Sequence, residues 1–322
     1  MVKQFLLIKM GDWKFQNRRS FIKYALGTAA GFYYLPAFAQ DKLLREKGFE
    51  KLTILYTNDQ HSRIDPFPEN DAKHPGEGGF SKRAAVIEKI KKEEQNILLL
   101  DAGDIFQGTP YFNYFQGELE YKLMSLMQYD AVTFGNHDFD LGVENIIKQM
   151  PHAGFDFINC NYNFNDTDLK DHKKISPYKI YKKGNIKIGI LGLGINLDGL
   201  IAPKQRQGLI YNNPIEHANK TAHALRIQEN CDFVICLSHL GYKYDNDKVS
   251  DVVLAKETEN IDLIIGGHTH TFLDKPFKTL NRQGIEVQVT QMGWAGIWLG
   301  RIDIYFCNQR KKILQNNSAQ GI

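Results

Sequence analysis

The chain has 322 residues, 43% of them apolar and 24% charged, which is ordinary for a soluble globular protein and enough for one large α/β domain with a sizeable core, or two small ones. The formal charge of +3 is concentrated at the start. Residues 1–39 hold six of the 40 Lys/Arg and one of the 37 Asp/Glu, leaving 34 basic and 36 acidic residues, a net of −2, in the rest. That balance excludes the body as a nucleic-acid binder by charge.

Residues 1–39 read as a targeting segment. Asn17-Arg18-Arg19-Ser20-Phe21-Ile22-Lys23 is similar to the twin-arginine export signal. An apolar stretch over residues 24–35 follows, too short to span a bilayer, and Ala37-Phe38-Ala39 supplies a small-x-small cleavage site. The expectation is a signal peptide over 1–39 and a mature body over 40–322, exported folded to the bacterial periplasm with no membrane span left after cleavage. An uncleaved anchor is the alternative, and Met10 is an alternative start.

From Leu52 the pattern becomes regular. Residues 52–56 predict a strand that runs into Asp59 and His61. A Pro/Gly-rich loop leads to a helix whose apolar face uses Ala84, Ala85, Ile87 and Ile90. Residues 97–100 predict the next strand, followed by Gly103-Asp104 and Gln107, then a helix over 118–128. Residues 130–134 form a short apolar run ending in Gly135-Asn136-His137-Asp138-Phe139-Asp140. A fourth strand is expected over 155–158, and residues 162–177 are polar and loop-like. Residues 178–181 and 186–193 flank a hairpin-like turn at Gly184. A helix over 214–228 has Pro214 in its first turn. Residues 233–237 predict a strand ending in Ser238-His239, and a helix over 249–256 precedes a strand over 261–265 that ends in Gly266-Gly267-His268-Thr269-His270. Residues 286–291 and 297–306 read as antiparallel strands closing the sheet, and 307–322 as a polar tail. The alternation favours two packed layers of sheet flanked by helices. Cys160, Cys231, Cys236 and Cys307 show no metal or redox spacing and read as buried small apolar residues.

Five strand ends therefore carry polar residues of one kind: Asp59 and His61; Asp104; Asn136 and His137; His239; His268 and His270. In extended backbone the spacing of two puts Asp59 with His61, and His268 with His270, on one side, so that each pair can face one ion. Oxygen and imidazole donors without a thiolate suit Mn²⁺, Fe, Co²⁺ or Zn²⁺. His137 is a proton donor near neutral pH, and Asp140 is placed to orient it. Any one of these residues alone is an ordinary turn-stabilising group; the joint pattern is too specific for chance.

Asp59-x-His61, Gly103-Asp104-x-x-Gln107, Gly135-Asn136-His137-Asp138, Ser238-His239 and Gly267-His268-Thr269-His270 resemble the calcineurin-like metallophosphatases, and the text around them resembles the 5′-nucleotidase branch, over about residues 51–306. The resemblance implies a four-layer α/β sandwich of two mixed β-sheets flanked by helices. It implies one divalent ion held by Asp59, His61, Asp104 and His270. A second would be held by Asp104, Asn136, His239 and His268, with Asp104 bridging. It implies hydrolysis of phosphate monoesters, 5′-nucleotides or related nucleotide phosphates, with His137 as general acid or transition-state stabiliser. Relatives of this type continue into a second domain that clamps the base. This chain ends before it, so a separately encoded nucleotide-binding subunit is the implied partner. Phe67, Tyr111, Phe112, Tyr242 and Tyr244 are candidates for a partial aromatic platform.

Two other functions use the same scaffold. One is a thiosulfohydrolase, for which nothing in the sequence suggests carrier recognition. The other is a non-catalytic metal-binding partner, which would have no use for His137.

Overall fold

The computed structural model describes residues 37–307 and 312–322. The arginine pair and apolar core of the targeting segment lie outside the described residues. A short leading unit ends at Phe49 and contains helix α1 (Ala37–Glu46), which runs through the expected cleavage junction. The body, Glu50–Ile322, holds everything that follows.

Two mixed sheets form the centre of the body. The first has seven strands in the order β15-β14-β1-β2-β3-β4-β6. Its parallel part is β1 (Glu50–Thr57), β2 (Ile97–Asp101), β3 (Ala131–Val132), β4 (Asp156–Ile158) and β6 (Ile175–Ser176). Antiparallel β14 (Trp298–Phe306) and β15 (Lys312–Gly321) complete one edge, with Ile302 opposite Ile54. The second sheet has six strands in the order β12-β13-β11-β10-β8-β7. Here β8 (Ile186–Leu193), β10 (Phe233–Ser238), β11 (Leu263–Gly266) and β13 (Glu286–Thr290) are parallel. Hairpin partner β7 (Tyr178–Lys183) and β12 (Phe277–Leu280) pair antiparallel at the two edges. A small ribbon of β5 (Tyr162–Asn163) and β9 (Ile210–Tyr211) lies in what reads from sequence as loop.

The period of two sorts side chains between layers. In β1 and β2, Leu52, Ile54, Tyr56, Leu98 and Leu100 face Ile188, Ile190, Phe233, Ile235, Leu237 and Ile265 of the other sheet, making the central core. The alternate residues Leu55, Ile97 and Leu99 face α2 (Phe80–Glu93) and α4 (Glu118–Leu126), which follows the short α3 (Pro110–Phe115), and α5 (Gly142–Gln149) completes that face. Leu191, Val234 and Ile264 pack under α6 (Pro214–His223) and α7 (Asp251–Glu257). The result is helix–sheet–sheet–helix, the expected sandwich. Strands buried on both faces read as unbroken apolar runs, which is why they are visible in the sequence. A hydrogen bond between Tyr56 Oη and Thr290 Oγ1 (2.8 Å) ties the two sheets across the central layer.

Several local expectations need correction. The strands near 286–291 and 297–306 do not pair with each other, because β13 extends the second sheet and β14 lies against β1 in the first. The end of the chain is not a tail: β15 pairs with β14 along its length. In α2 the buried face is Phe80, Arg83, Ile87 and Ile90, while Ala84 is half-buried and Ala85 exposed. The helix over 214–228 changes at Ala224 into a wider turn with i→i+5 bonds. Three cysteines are buried, but Cys307 is only half-buried, and all four are free thiols.

Candidate metal centre

Every predicted site residue sits where a parallel strand ends. Asp59 and His61 follow β1, Asp104 follows β2, and Asn136 and His137 follow β3 in the first sheet. His239 follows β10, and His268 and His270 follow β11 in the second. Polar groups are placed at the carboxyl ends because side chains in the strands themselves are committed to the cores.

The loops bring these residues into two adjoining groups of ligand atoms, Asp59 with His61 and His270, and Asp104 with His239 and His268. In the first, His61 Nε2 lies 2.9 Å from His270 Nε2, and His270 Nε2 lies 3.3 Å from Asp59 Oδ1. In the second, His239 Nε2 is 3.1 Å from Asp104 Oδ2, and His268 Nδ1 is 2.8 Å from Asn136 Oδ1. The groups touch, since His239 Nε2 is also 3.9 Å from Asp59 Oδ1.

His268 and His270 thus fall in different groups, as the resemblance implies and contrary to the expectation from spacing of two side chains on one face of a strand. The reason is backbone conformation. Asp59, His61, Asp104, His268 and His270 have φ of 48°, 47°, 56°, 71° and 52°. The left-handed region costs a non-glycine residue about 1 kcal/mol, and such strain persists only where the surroundings over-determine it. Here they do. Asp59 N–H donates to Gly103 O, His61 N–H to Asp104 O and Ala295 N–H to Asp59 O. His268 N–H is shared by both Asp59 carboxylate oxygens at 3.0 Å. Gly135 is required by close approach, since a Cβ there would overlap the Asp104 carboxylate.

Buried carboxylates and imidazoles shift one another's protonation. Burial lowers the pKa of His61 and takes that of His268 down to about 4, holding both rings neutral. Burial also disfavours charge on His239, but the carboxylates of Asp104 and Asp59 outweigh it and raise its pKa to about 10. Asp104 feels the same burial, yet facing His239 and His61 it is held well below the usual carboxylate range. His239 donates through Nδ1 to Ala102 O at 2.7 Å, which leaves its buried Nε2 turned toward Asp104 Oδ2 at 3.1 Å without a well-directed hydrogen bond. An unsatisfied buried nitrogen is costly, and imidazole and carboxylate atoms converging without thiolate fit divalent first-row ions.

His137 stands beside both groups without joining either. Its ring lies edge-on to that of His61, with centroids 5.4 Å apart. Its Nδ1 is 3.0 and 3.2 Å from the two oxygens of Asp140. Burial alone would lower its pKa, but Asp140 and Asp104 raise it overall. Its backbone N–H donates to Asp104 Oδ1 at 2.7 Å.

Some supporting residues are not legible as such in the sequence. Asp138 is buried and accepts from the backbone N–H groups of Gly135, Asp104, Ile105 and Phe106, tying the β2 loop to the β3 loop. Asn58 joins Asp59 Oδ2 to Gly293 O through its amide nitrogen, and its Oδ1 accepts from Met292 N–H. Fully buried Arg83 stacks on Phe80 and donates to Gln60, which passes the link to Asp101 and Thr57 behind the first ligand group. Trp294 lies parallel to His270. Of the candidate platform aromatics, Phe67 and Phe112 are buried, while Tyr111 and Tyr244 hydrogen-bond through their hydroxyls to Asp65 and Leu240 O.

Residues 52–272 match the family described as calcineurin-like phosphoesterase. The chain is 31% identical to the snake venom 5′-nucleotidase of Naja atra over 284 residues, covering 83% of this chain and 52% of that protein. It is also 31% identical to the 5′-nucleotidase of Vibrio cholerae over 292 residues, covering 83% and 51% respectively. It therefore spans about half the length of the curated relatives it matches. Among solved structures, the 5′-nucleotidase precursor from Thermus thermophilus superposes with a TM-score of 0.74 at 28% identity, covering 85% of this chain and 55% of that one. Strand-end ligands from two sheets, the matched region and this superposition agree: the chain belongs to the calcineurin-like phosphoesterase family.

Proposed function

We propose that the body is the catalytic domain of a dimetal phosphoesterase acting on phosphate monoesters, with 5′-nucleotides and related nucleotide phosphates as the substrate class. The observation that carries this reading is the pair of adjoining ligand groups with His137 beside them. Asp59, His61 and His270 would hold one ion and Asp104, Asn136, His239 and His268 the other, with Asp104 shared. The donor set suits Mn²⁺, Fe, Co²⁺ or Zn²⁺. Two such ions, when bound, neutralise phosphoryl oxygens and lower the pKa of an attacking water. Asp140 orients His137 through Nδ1, leaving Nε2–H for the departing alkoxide. Asp138 holds the two loops in register so that this donor and the ligand groups keep their spacing.

Steady-state assays of the purified chain with p-nitrophenyl phosphate, AMP, UMP and a sugar phosphate test the reading. Hydrolysis that depends on added Mn²⁺ or Zn²⁺ is the expected result; no turnover of any ester with either ion would sink it. A phosphate contact alone discriminates poorly among leaving groups, so the reading includes a base-binding surface supplied from outside residues 50–322. Values of kcat/KM across the panel should lie within a hundredfold. A larger preference for one nucleotide, more than about 2.7 kcal/mol, would show that this chain reads the base itself.

The reading also places the protein in the periplasm by twin-arginine export, on the strength of Arg18-Arg19 and the apolar stretch after them. Fractionation of cells expressing Arg18→Lys with Arg19→Lys should find the precursor in the cytoplasm. Unchanged processing to a form beginning near Gln40 would refute the assignment. Among the described residues no helix is long and apolar enough to cross a membrane.

A further inference from the structure

His270 is the most weakly enclosed of the ligands in the first group. Its side chain is 40% exposed, against 7% for His61 and none for Asp59. Its backbone is left-handed, and among the described residues its ring nitrogens meet only other members of the group. A ring in that position needs something else to fix its plane.

Trp294 supplies the flat surface. Its ring is parallel to that of His270 within 6°, with centroids 5.6 Å apart, and lies edge-on to His61 at 6.4 Å. Phe67 closes on the tryptophan edge-on at 5.7 Å. The backbone carrying Trp294 is fastened to both ligand loops. Ala295 N–H donates to Asp59 O, Gly293 N–H to Thr271 O, and Met292 N–H to Asn58 Oδ1. Gln291, just before it, accepts from Thr271 N–H and Thr269 Oγ1 and donates to Gly267 O. One short segment therefore fixes the β1 loop, the β11 loop and an indole against the exposed ligand. Aromatic stacking adds to what burial alone supplies and favours one ring orientation over others.

We propose that Trp294 is a positioning residue for the first ion: its indole holds the His270 ring in the plane from which Nε2 meets Asp59 and His61. The proposal rests on the dimetal reading above. Groups that orient ligands in this way typically change metal affinity by about 10–100-fold.

The test is calorimetric titration of the metal-free full chain with Mn²⁺. Wild type should take up two ions. Trp294→Ala should weaken one of the two by about 10–100-fold and leave the other unchanged. Trp294→Phe keeps a flat ring and should restore affinity to within about threefold. Trp294→Leu fills space without a flat face and should behave as alanine does, which separates stacking from packing should the alanine variant prove unstable. A spectroscopic arm uses the three tryptophans. Mn²⁺ should quench wild-type fluorescence and that of Trp298→Phe, and should quench Trp294→Phe much less. Two wild-type affinities in both Trp294→Ala and Trp294→Leu, or undiminished quenching in Trp294→Phe, would overturn the proposal alone. A wild-type chain that binds no ion would overturn the dimetal reading and this proposal with it.

Discussion

Asp104→Asn is expected to cost the protein both ions and nearly all turnover in a single step. The carboxylate is used on both sides. Oδ1 accepts the His137 backbone N–H at 2.7 Å, and Oδ2 faces His239 Nε2 at 3.1 Å, where the two ligand groups adjoin. An asparagine amide has one acceptor oxygen and a nitrogen that only donates. If its oxygen keeps the His137 N–H, the nitrogen faces the ligand groups with two hydrogens and no lone pair. If the amide turns over, the oxygen serves the ligands but two donors oppose each other at His137. Either way the shared negative charge is gone. Elemental analysis of the purified variant should find well under two ions per chain. Two ions retained through extensive dialysis would remove Asp104 from the bridging role.

The companion variant His137→Ala should do the opposite to the ions. The His137 ring is in neither ligand group, and its Nδ1 is engaged by Asp140. Its hydrogen bond to a ligand runs from the backbone N–H to Asp104, and alanine keeps that bond. Metal content should therefore match wild type while kcat falls by about 10²–10⁴, the usual contribution of a positioned acid or base, with KM changed far less. A variant that sheds its ions would show that His137 is a ligand. The pair of results separates holding the ions from using them.

The site is legible in the sequence to the extent that it depends on where strands end. Asp59, Asp104, Asn136, His239 and His268 each follow an apolar run, because the strands are buried on both faces and only their ends can carry polar groups. What cannot be read is the path of the chain after each strand. Period-two reasoning puts His268 and His270 on one face, and their left-handed backbone divides them between the groups. Arg83 is invisible for a related reason. It lies on the helical stripe with Phe80, Ile87 and Ile90, but a charged residue on a buried stripe has no meaning until Phe80 and Gln60 are seen to receive it. The pairing of β14 with β1 has no local signature: Tyr56 meets Gly300 across 244 positions of chain, a contact that no window of sequence contains. Trp294 carries no sequence signal, because its partner, His270, lies 24 positions earlier on a different loop.

Each ligand group draws on both sheets: Asp59 and His61 from the first with His270 from the second, and Asp104 from the first with His239 and His268 from the second. An ion bound in either group is thus a rivet through the sandwich. Affinity and architecture then share one free energy, since whatever binds the docked arrangement stabilises it by mass action. Slippage between the layers, at Tyr56 and Thr290 for example, would loosen ions that neither residue touches. Loading would in turn stiffen a seam otherwise held largely by apolar packing.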